Sequence, residues 1–388
     1  MKDKQYLQLA SLYGIFFLAL GASSFTSVFL GGKGMDNSQI GLLMSVPPIV
    51  SLLAQPFWGL AGDRARYKRS VLALSFLATG LVCFMFEFTN GFWPMMLVMC
   101  LYNCVNQACS PISQTICMEY TADKKGGFGP IRMVGSITYQ AMVLIIGFLL
   151  SGTMPQLFRI MGIIYVFCAA YALLAPPIEG HQHEEEKKVS PLILLKDKRI
   201  ILLLAMIFCG RAASVFYVSF FNKYTQELFH SNSLMSILHY SSLFLEIPFF
   251  LFSDKIMRKM KITTWALIGY AATSLRFIGI SVTSSVPVLI CLQLLAVVSM
   301  GCSEYFPMLY MNEIAPDELK GSMQSLNVVV TFGLPQIFGS MLGGVLADAI
   351  GLQSAFGVYG AFLVVMLFVF IIPVKKSNLT WAGAREKA

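Results

Sequence analysis

The feature that most constrains this chain is a predominantly apolar run of about twenty residues, which recurs between short charged stretches. A helix needs roughly 20 apolar residues to cross the hydrocarbon of a bilayer. Gly, Pro and charge clusters cut the sequence into twelve such segments. They begin near Leu9, Ile40, Val71, Trp93, Met133, Ile160, Ile200, Met235, Thr263, Val286, Met323 and Ser354. The sequence therefore predicts an all-α membrane protein with twelve transmembrane helices.

The composition excludes an ordinary water-soluble domain. Hydrophobic residues make up 56% of the chain and charged residues 12%, and the mean hydropathy is +0.70. The net charge of +8 could suggest nucleic acid, but the basic residues lie in short stretches between apolar runs. We therefore expect membrane lipid as a partner and no nucleic acid. The run from Leu9 to Leu30 is too long for a signal peptide and is followed by many more.

The distribution of Lys and Arg predicts the orientation of the chain in the membrane. The odd-numbered loops contain only Lys33, Arg159 and Lys223. The even-numbered loops contain most of the basic residues: Arg64, Arg66, Lys68, Arg69, Lys124, Lys125, Lys187, Lys188, Lys196, Lys198, Arg199, Lys255, Arg258, Lys259, Lys261 and Lys320. By the positive-inside rule the even loops and both termini are cytoplasmic, which requires an even number of spans. We expect a multi-pass protein of the plasma (inner) membrane.

The longest hydrophilic stretch, residues 179–199, divides the spans into two sets of six. It predicts an N-terminal six-helix bundle at 1–176, a cytoplasmic linker at 177–199, a C-terminal six-helix bundle at 200–374 and a cytoplasmic tail at 375–388. His181 and His183 beside three glutamates could bind metal, but such a charged run is usually solvated, and we predict no metal site or cofactor. A weak repeat, Asp63-Arg64 after span two and Asp254-Lys255 after span eight, indicates two pseudo-symmetric halves.

The segment after span two resembles a loop of the major facilitator superfamily. Residues 55–64 read QPFWGLAGDR and are followed by Lys68-Arg69, although the family's glycine after the Asp-basic pair is missing here. In that family the loop latches one conformation. The resemblance therefore implies the major facilitator fold, alternating access, and a gating role for Gly59, Asp63 and Arg64, with a plain topology loop as the alternative.

Two further segments resemble the lactose permease branch and its oligosaccharide, nucleoside and phenylpropionate relatives. Residues 129–139, GPIRMVGSITY, are similar to the start of the fifth helix, whose arginine holds substrate and whose aromatic residue stacks on a sugar ring. The resemblance implies these roles for Arg132 and Tyr139. Residues 274–279, SLRFIG, are similar to the ninth helix, whose arginine belongs to the proton-coupling network. The fourth-helix carboxylate of the lactose permease is Gln114 here, which argues against lactose itself.

Polar side chains recur at helical spacing on three predicted spans. The three sets are Asn103, Gln107, Ser110 and Gln114 on span four, Arg132, Ser136 and Tyr139 on span five, and Gln324, Asn327 and Thr331 on span eleven. In lipid such a face must turn inward. These stripes could hold helices together, but amides beside an Arg and a Tyr suit a hydroxylated or heterocyclic solute. We predict solute contacts by Arg132, Tyr139, Gln114, Asn103, Gln107, Ser136 and Asn327.

Four ionisable residues fall within the predicted spans of the second half: Arg211, Glu246, Arg276 and Glu304. Each costs on the order of 3 kcal/mol at the bilayer centre, which makes each a functional hypothesis. Protonation of a carboxylate releases its basic partner and can change helix packing. Glu246 is the first candidate for the proton carrier and Glu304 the second, while a static ion pair is the alternative. His239 shares a helical face with Glu246 and could titrate.

The sequence contains no nucleotide-binding or zinc-protease motif and no plausible catalytic grouping, so we do not expect an enzyme. It predicts a monomeric secondary transporter that takes up a small polar solute, namely a sugar, oligosaccharide or nucleoside, by proton symport, with sodium as another possible coupling ion. One alternative is a proton-driven exporter of amphipathic compounds. An alternative of another class is a membrane sensor or scaffold that transports nothing.

Overall fold

The computed structural model describes residues 4–121, 128–150, 152, 154–178, 198–241, 259–302, 330 and 333–376. All of the regular secondary structure in these ranges is helical. The chain forms two compact units, Met1–Glu186 with Thr225–Ser236, and Lys187–Tyr224 with Ile237–Ala388. The predicted division at the linker remains a prediction, because the short segment 225–236 belongs to the first unit.

The described helices follow this order along the chain. In the first half they are α1 (Lys4–Ser23), α2 (Thr26–Gly32), α3 (Asn37–Arg64), α4 (Lys68–Phe88), α5 (Phe92–Asn106), α6 (Cys109–Thr121), α7 (Gly129–Leu149) and α8 (Leu157–Ala172). In the second half they are α9 (Lys198–Phe229), α10 (Asn232–Tyr240), α11 (Ile262–Val282), α12 (Val286–Met300), α13 (Leu342–Ile350) and α14 (Leu352–Lys376). A helical turn at Leu334–Gln336 and a π-helix at Ile337–Met341 precede α13.

Local sequence explains several helix ends. Asp36 caps α3, because its side chain accepts a hydrogen bond from the Gln39 amide at 2.7 Å and the Gln39 side chain bonds the Asp36 amide in return. Gly351 separates α13 from α14 with a φ of +84°, a conformation that a side chain would make costly. These signals lie between apolar runs and set where each run begins or stops.

The outer surface of the helices is apolar, as a lipid-facing surface must be. On α4 an exposed stripe follows helical spacing, and its members are Leu74, Leu77, Leu81, Met85 and Phe88. The opposite face of the same helix is fully buried at Leu72, Phe76 and Phe86. A helix on the surface of a soluble protein would not expose such a long apolar stripe to water. One side of α4 therefore faces lipid, and the other packs against the protein.

Six of the described helices are long and apolar enough to span a membrane, with starts at Lys4, Lys68, Gly129, Ile200, Ile262 and Leu352. Three more apolar helices are shorter: Leu157–Ala172, Val286–Ser299 and Leu334–Ile350. The chain is thus a multi-pass membrane protein whose described secondary structure is helical. The predicted number of twelve spans is not established by the described residues.

Two predicted spans are interrupted. The first turns at Ser24 and Phe25, between α1 and α2, instead of running on to Leu30. The fourth is interrupted at Gln107 and Ala108, between α5 and α6. Pro111 accounts for the second interruption, because proline has no amide hydrogen for the carbonyl four residues earlier and its ring collides with that carbonyl.

The two halves repeat one packing arrangement. Within the first, α4 packs on α8, and within the second, α11 packs on α14. Both seams use glycine: a β-carbon at Gly80 would lie 3.0 Å from the Gly162 carbonyl oxygen, and one at Gly360 would lie 3.0 Å from the Ile278 amide nitrogen. In the sequence these are spans three and six of each predicted set. The same pairing in both halves fits the predicted pseudo-symmetry.

Gly339 and Gly343, four residues apart on the predicted span eleven, form a small-xxx-small pattern and pack closely on a neighbouring helix. A β-carbon at Gly339 would lie 2.5 Å from the Ala212 carbonyl oxygen, and one at Gly343 would lie 2.5 Å from the Phe216 ring. Both contacts are with α9, so the two helix backbones approach closely where the glycines remove side-chain bulk.

Candidate functional site

In the first unit, Arg132 lies on the first turn of α7 against aromatic residues of α1. Its guanidinium carbon is 5.1 Å from the centre of the Phe17 ring, and its Nη1 donates to the Tyr13 hydroxyl at 3.4 Å. Tyr13 and Phe17 are themselves stacked, with ring centres 4.6 Å apart. Arg132 is exposed whereas both rings are buried. The guanidinium therefore lies on the face of an aromatic ring, and its other N–H groups can donate hydrogen bonds to a solute.

Gln114 of α6 belongs to the same cluster. Its side chain interacts with the Tyr13 hydroxyl and donates to the Ser110 hydroxyl at 3.2 Å. The structure thus brings together Arg132 and Gln114, two of the predicted solute contacts, through a tyrosine of α1. Amide, hydroxyl and guanidinium groups on one patch can satisfy the several hydroxyls of a sugar or ribose ring.

Tyr139 lies two turns further along α7 and bonds to α1. Its hydroxyl is 2.6 Å from the Ser24 hydroxyl, beside the turn that ends α1. The seam between α1 and α7 is close here because a β-carbon at Gly21 would collide with the Tyr139 carbonyl oxygen. At the other end of the seam, Gly135 packs against the Tyr13 ring. Glycines on both helices therefore allow α1 and α7 to approach closely beside both tyrosines.

The remaining predicted contacts of the first half are placed differently. Asn103 of α5 uses its side-chain nitrogen to bond the Met99 carbonyl of its own helix at 2.8 Å. Gln107 lies at the interruption between α5 and α6, half-buried. Ser136 is exposed, and its hydroxyl bonds the Arg132 carbonyl at 3.4 Å. The interruption divides the span-four stripe, so its four side chains do not share one uninterrupted helical face.

The predicted gating segment is helical almost to its end. Gly59, Asp63 and Arg64 lie in the last turns of α3, and only residues 65–67 connect α3 to α4. The expected loop is therefore much shorter than the resemblance implied, because Arg64 favours a helix C-terminus and Ala65 is the first extended residue. Arg64 is exposed, and the side chains at positions 59 and 63 lie outside the description.

The basic residues that follow this segment bind other helix ends of the first unit. Lys68, 3% exposed, forms an ion pair with Glu119 of α6 at 2.5 Å, and its amide bonds the Ile178 carbonyl. Arg69 donates to the Ala175 carbonyl at 2.8 Å. A cation near unpaired carbonyls at a helix C-terminus is electrostatically favourable. The start of α4 thus ties together the ends of α6 and α8.

In the second unit, Arg276 of α11 lies in a buried polar cluster. Its Nη2 donates to the Gln293 side-chain oxygen of α12 at 2.5 Å, and its guanidinium carbon is 3.8 Å from the centre of the Tyr217 ring of α9. The Tyr217 hydroxyl donates to the same oxygen of Gln293 at 2.9 Å. Arg276 is 5% exposed, as expected for a cation on a membrane helix, which faces the interior of the protein and not the lipid.

His239 joins this cluster from α10. Its Nδ1 is 3.2 Å from the Asn222 side-chain oxygen of α9, and its ring is close enough to Arg276 for their charges to interact. Arg211 is half-buried on α9. Of the predicted coupling residues, the structure therefore brings together Arg276 and His239. Asn327, Glu246 and Glu304, with Gln324 and Thr331 of the span-eleven stripe, lie outside the described residues.

Sequence reasoning missed six residues that complete these clusters: Tyr13, Phe17, Ser24, Tyr217, Asn222 and Gln293. Five of them are neutral groups on α1 or α9 or at the turn after α1, where the surrounding sequence is rich in aromatic residues. Only Gln293 could have been found from the sequence. It lies in the middle of the apolar run of α12, where burial of an amide is costly unless it forms hydrogen bonds.

The metal-binding residue types and the cysteines of the described part of the chain can be placed individually. That part contains no group of three or more His, Cys, Asp or Glu residues that could hold a metal ion. Five of the nine cysteines are buried, whereas Cys104 and Cys291 are exposed. Both lie on apolar helices, where a weakly polar thiol tolerates an outward position.

Comparison with known proteins identifies relatives of nearly the whole chain. The model of the MFS_1 like family matches residues 6–358. The transporter YwbF of Bacillus subtilis, itself uncharacterized, is 23% identical over 92% of this chain and 90% of its own length. The maltose permease of Geobacillus stearothermophilus is 21% identical over 94% of both chains. A crystal structure of the nucleoside transporter NupG that carries one substitution superposes with a TM-score of 0.88 at 17% identity, covering 95% of this chain and 99% of that one.

Proposed function

Since the chain belongs to the MFS_1 like family and is a membrane transporter rather than an enzyme, we propose that it takes up a small polar solute by alternating access, driven by protons. The solute class is a sugar, oligosaccharide or nucleoside. A maltose permease among the relatives and a nucleoside transporter among the structural neighbours support this class. Because the two proteins are only 21% and 17% identical to this chain, the proposed solute class depends on the chemistry of the candidate site.

The observation that carries the proposal is the Arg132 cluster of the first unit. Arg132 is exposed above the Phe17 ring, with the Tyr13 hydroxyl and the Gln114 amide beside it. A guanidinium presents several donors in a plane and can bind two vicinal hydroxyls at once. An aromatic ring such as Tyr139 can stack on the apolar face of a sugar or base. Asn103, Gln107, Ser136 and Asn327 would complete the contacts.

The coupling residues are proposed to be Glu246, Arg276, Glu304, Arg211 and His239. In a medium of low dielectric, a carboxylate and a guanidinium keep each other charged. A proton on Glu246 removes its negative charge, so its basic partner is released and the helices that they join can repack. Solute accumulation then follows the proton gradient. The burial of Arg276 and its proximity to His239 support a coupling centre in the second unit.

The orientation in the membrane is proposed to follow the positive-inside rule, with both termini in the cytoplasm. Two of the three cations on the predicted outer side are bound by the end of α4. Lys33 donates to the Glu87 carbonyl at 3.0 Å and to the Asn90 side chain at 3.2 Å, and Arg159 pairs with the Glu87 carboxylate. Each of these exceptions to the rule therefore has a local structural use.

Transport in membrane vesicles tests the proposal. Thermal stabilisation of purified protein by a panel of sugars and nucleosides first selects a solute. We expect uptake of that solute to exceed equilibrium and a protonophore to abolish the excess. Glu246→Gln should abolish accumulation while solute exchange persists, whereas Glu87→Gln, a matched change at the external end of α4, should still accumulate. Accumulation that survives Glu246→Gln refutes the coupling assignment.

The aromatic character of the Arg132 cluster favours a second candidate, a proton-driven exporter of amphipathic compounds. Tyr13 contacts both Phe17, whose ring lies under the guanidinium, and Phe128, and such rings pack well against the apolar part of an amphipathic compound. Inverted vesicles distinguish the two functions by the direction of proton-driven flux. A chain that binds solute and moves none in either direction would instead be a sensor.

A further inference from the structure

Arg276 is held in the second unit by neutral groups in the described part of the chain. The Gln293 side-chain oxygen accepts from the Arg276 guanidinium at 2.5 Å and from the Tyr217 hydroxyl at 2.9 Å. The Tyr217 ring covers one face of the guanidinium at 3.8 Å. One glutamine thus orients both the cation and the ring that lies on it, and none of these contacts cancels the positive charge.

This arrangement leaves hydrogen-bond donors unused. Arg276 Nε and Gln293 Nε2 are both buried and have no hydrogen-bond partner among the described residues. They belong to two adjoining groups, because the oxygen of the same Gln293 amide already binds the guanidinium. Buried donors of this kind usually have acceptors, and a buried cation usually has an anion. The acceptor that suits both requirements is a carboxylate, which has two oxygens and one negative charge.

We infer that Gln293 is a positioning residue that keeps Arg276 charged and oriented, so that Arg276 and Gln293 together receive one exchangeable carboxylate during the transport cycle. The inference rests on the proposed function and adds to it a residue that was not among the coupling candidates. The carboxylate comes either from the chain, where Glu246 is the proposed proton carrier, or from a solute that bears one. Both sources share the same chemistry at Arg276.

A glutamine suits this task better than a glutamate. A glutamate at position 293 would neutralise Arg276 in every state, and the arginine could not exchange partners. A glutamine accepts the same hydrogen bond through the same number of atoms and leaves the charge available. The structural difference between the two residues is one atom, which makes the substitution a sharp test.

Gln293→Glu, Arg276→Gln and the double variant form a cycle in which the two residues are tested together. Since Gln293→Glu supplies the carboxylate permanently, it should raise the melting temperature. It should also lower the accumulation ratio to one while solute exchange persists. In the Arg276→Gln background the same change should lower the melting temperature, because the new carboxylate has no cation. Gln293→Met, which removes the acceptor, should destabilise the protein without pairing the charge.

A structural role alone would not raise stability and abolish coupling in the same variant. The inference is overturned if Gln293→Glu accumulates solute like the wild type, or if it lowers the melting temperature equally with and without Arg276. A wild type that transports no solute would instead contradict the proposed function, and the stability cycle would still decide the inference.

The source of the carboxylate is decided with glucuronate and glucose, which share the pyranose ring and differ at C6, where glucuronate has a carboxylate instead of a hydroxymethyl group. Stabilisation by glucuronate but not by glucose, lost in Arg276→Gln, assigns the carboxylate to the solute. If no glucuronate effect depends on Arg276 and the Gln293→Glu cycle behaves as expected, the carboxylate is assigned to the chain.

Discussion

Gly147 of α7 lies directly against Ser236 of α10, so close that a β-carbon at position 147 would overlap the Ser236 hydroxyl. The contact belongs to a larger junction. Asn232 donates to the Leu150 and Gly152 carbonyls at 2.9 and 3.0 Å, and Ser233 to the Gly147 carbonyl at 3.3 Å. The start of α10 therefore caps the end of α7, where backbone carbonyls lack helical partners.

Gly147→Ala should prevent this junction from forming. The added methyl group meets buried atoms of Ser236 and the Asn232 backbone, so the segment cannot dock without a shift. We expect slower transport and a lower melting temperature. Gly129→Ala is the control for stability, since nothing lies within 4 Å of its β-carbon position and alanine favours helix. Equal melting temperatures for the two variants would contradict the importance of the junction.

Lys68 and Glu119 should contribute more to stability than Arg159 and Glu87. Lys68→Met leaves Glu119 beside buried groups and should cost about 3 kcal/mol in the free energy of unfolding. Arg159→Met should cost less than about 1 kcal/mol, because its pair is more exposed and screened by solvent. Denaturation of the purified variants in detergent measures both values. The reverse order would show that burial does not determine the strength of these pairs.

Arg132→Lys should weaken solute binding although the charge is kept. Lysine cannot lie flat on the Phe17 ring and offers no planar pair of donors. We expect KM for uptake to rise about tenfold, which corresponds to about 1.4 kcal/mol. Arg159→Lys, on the same unit but away from the cluster, serves as the matched control. An unchanged KM in Arg132→Lys would remove Arg132 from the proposed solute contacts.

Gly21→Ala should act on the same cluster from a distance. The new methyl group would collide with the Tyr139 backbone and push α1 away from α7. Arg132 and Tyr139 would then lose their partners Tyr13 and Ser24. We expect weaker solute binding by calorimetry, with both predicted contact residues unchanged in sequence. Binding equal to that of the wild type would show that the seam can relax without disturbing the site.

The sequence predicted the fold class well because hydrophobic run length depends on residues that are adjacent in the chain. The predicted starts at Val286 and Ser354 lie within two residues of the observed helices Val286–Met300 and Leu352–Lys376. The interruption at Gln107 was missed although Pro111 is visible in the sequence, because proline is also tolerated inside membrane helices. Six described spans meet the length and hydropathy criteria, so the count of twelve remains a prediction.

The candidate site was predicted only in part, and for a different physical reason. Arg276 stands out in the sequence because charge is rare in apolar helices, and Arg132 because its segment resembles a substrate-binding helix of a known family. Their partners Phe17 and Tyr217 do not, because the chain contains 31 Phe and 15 Tyr residues and helical spacing alone does not select one of them. The packing of two helices decides which ring lies beneath a guanidinium. For α1 and α7 that packing depends on glycines such as Gly21 and Gly135, which let the helices approach.

Pro111 has a consequence for hydration. Because it supplies no amide hydrogen, the Gln107 carbonyl cannot complete the usual helical bond in the middle of the predicted fourth span. A bare carbonyl facing hydrocarbon would cost several kcal/mol, so this turn of backbone must be wetted or bonded to a polar group inside the protein. This one proline therefore obliges the first bundle to supply water or a polar side chain at that depth, whichever solute passes through it.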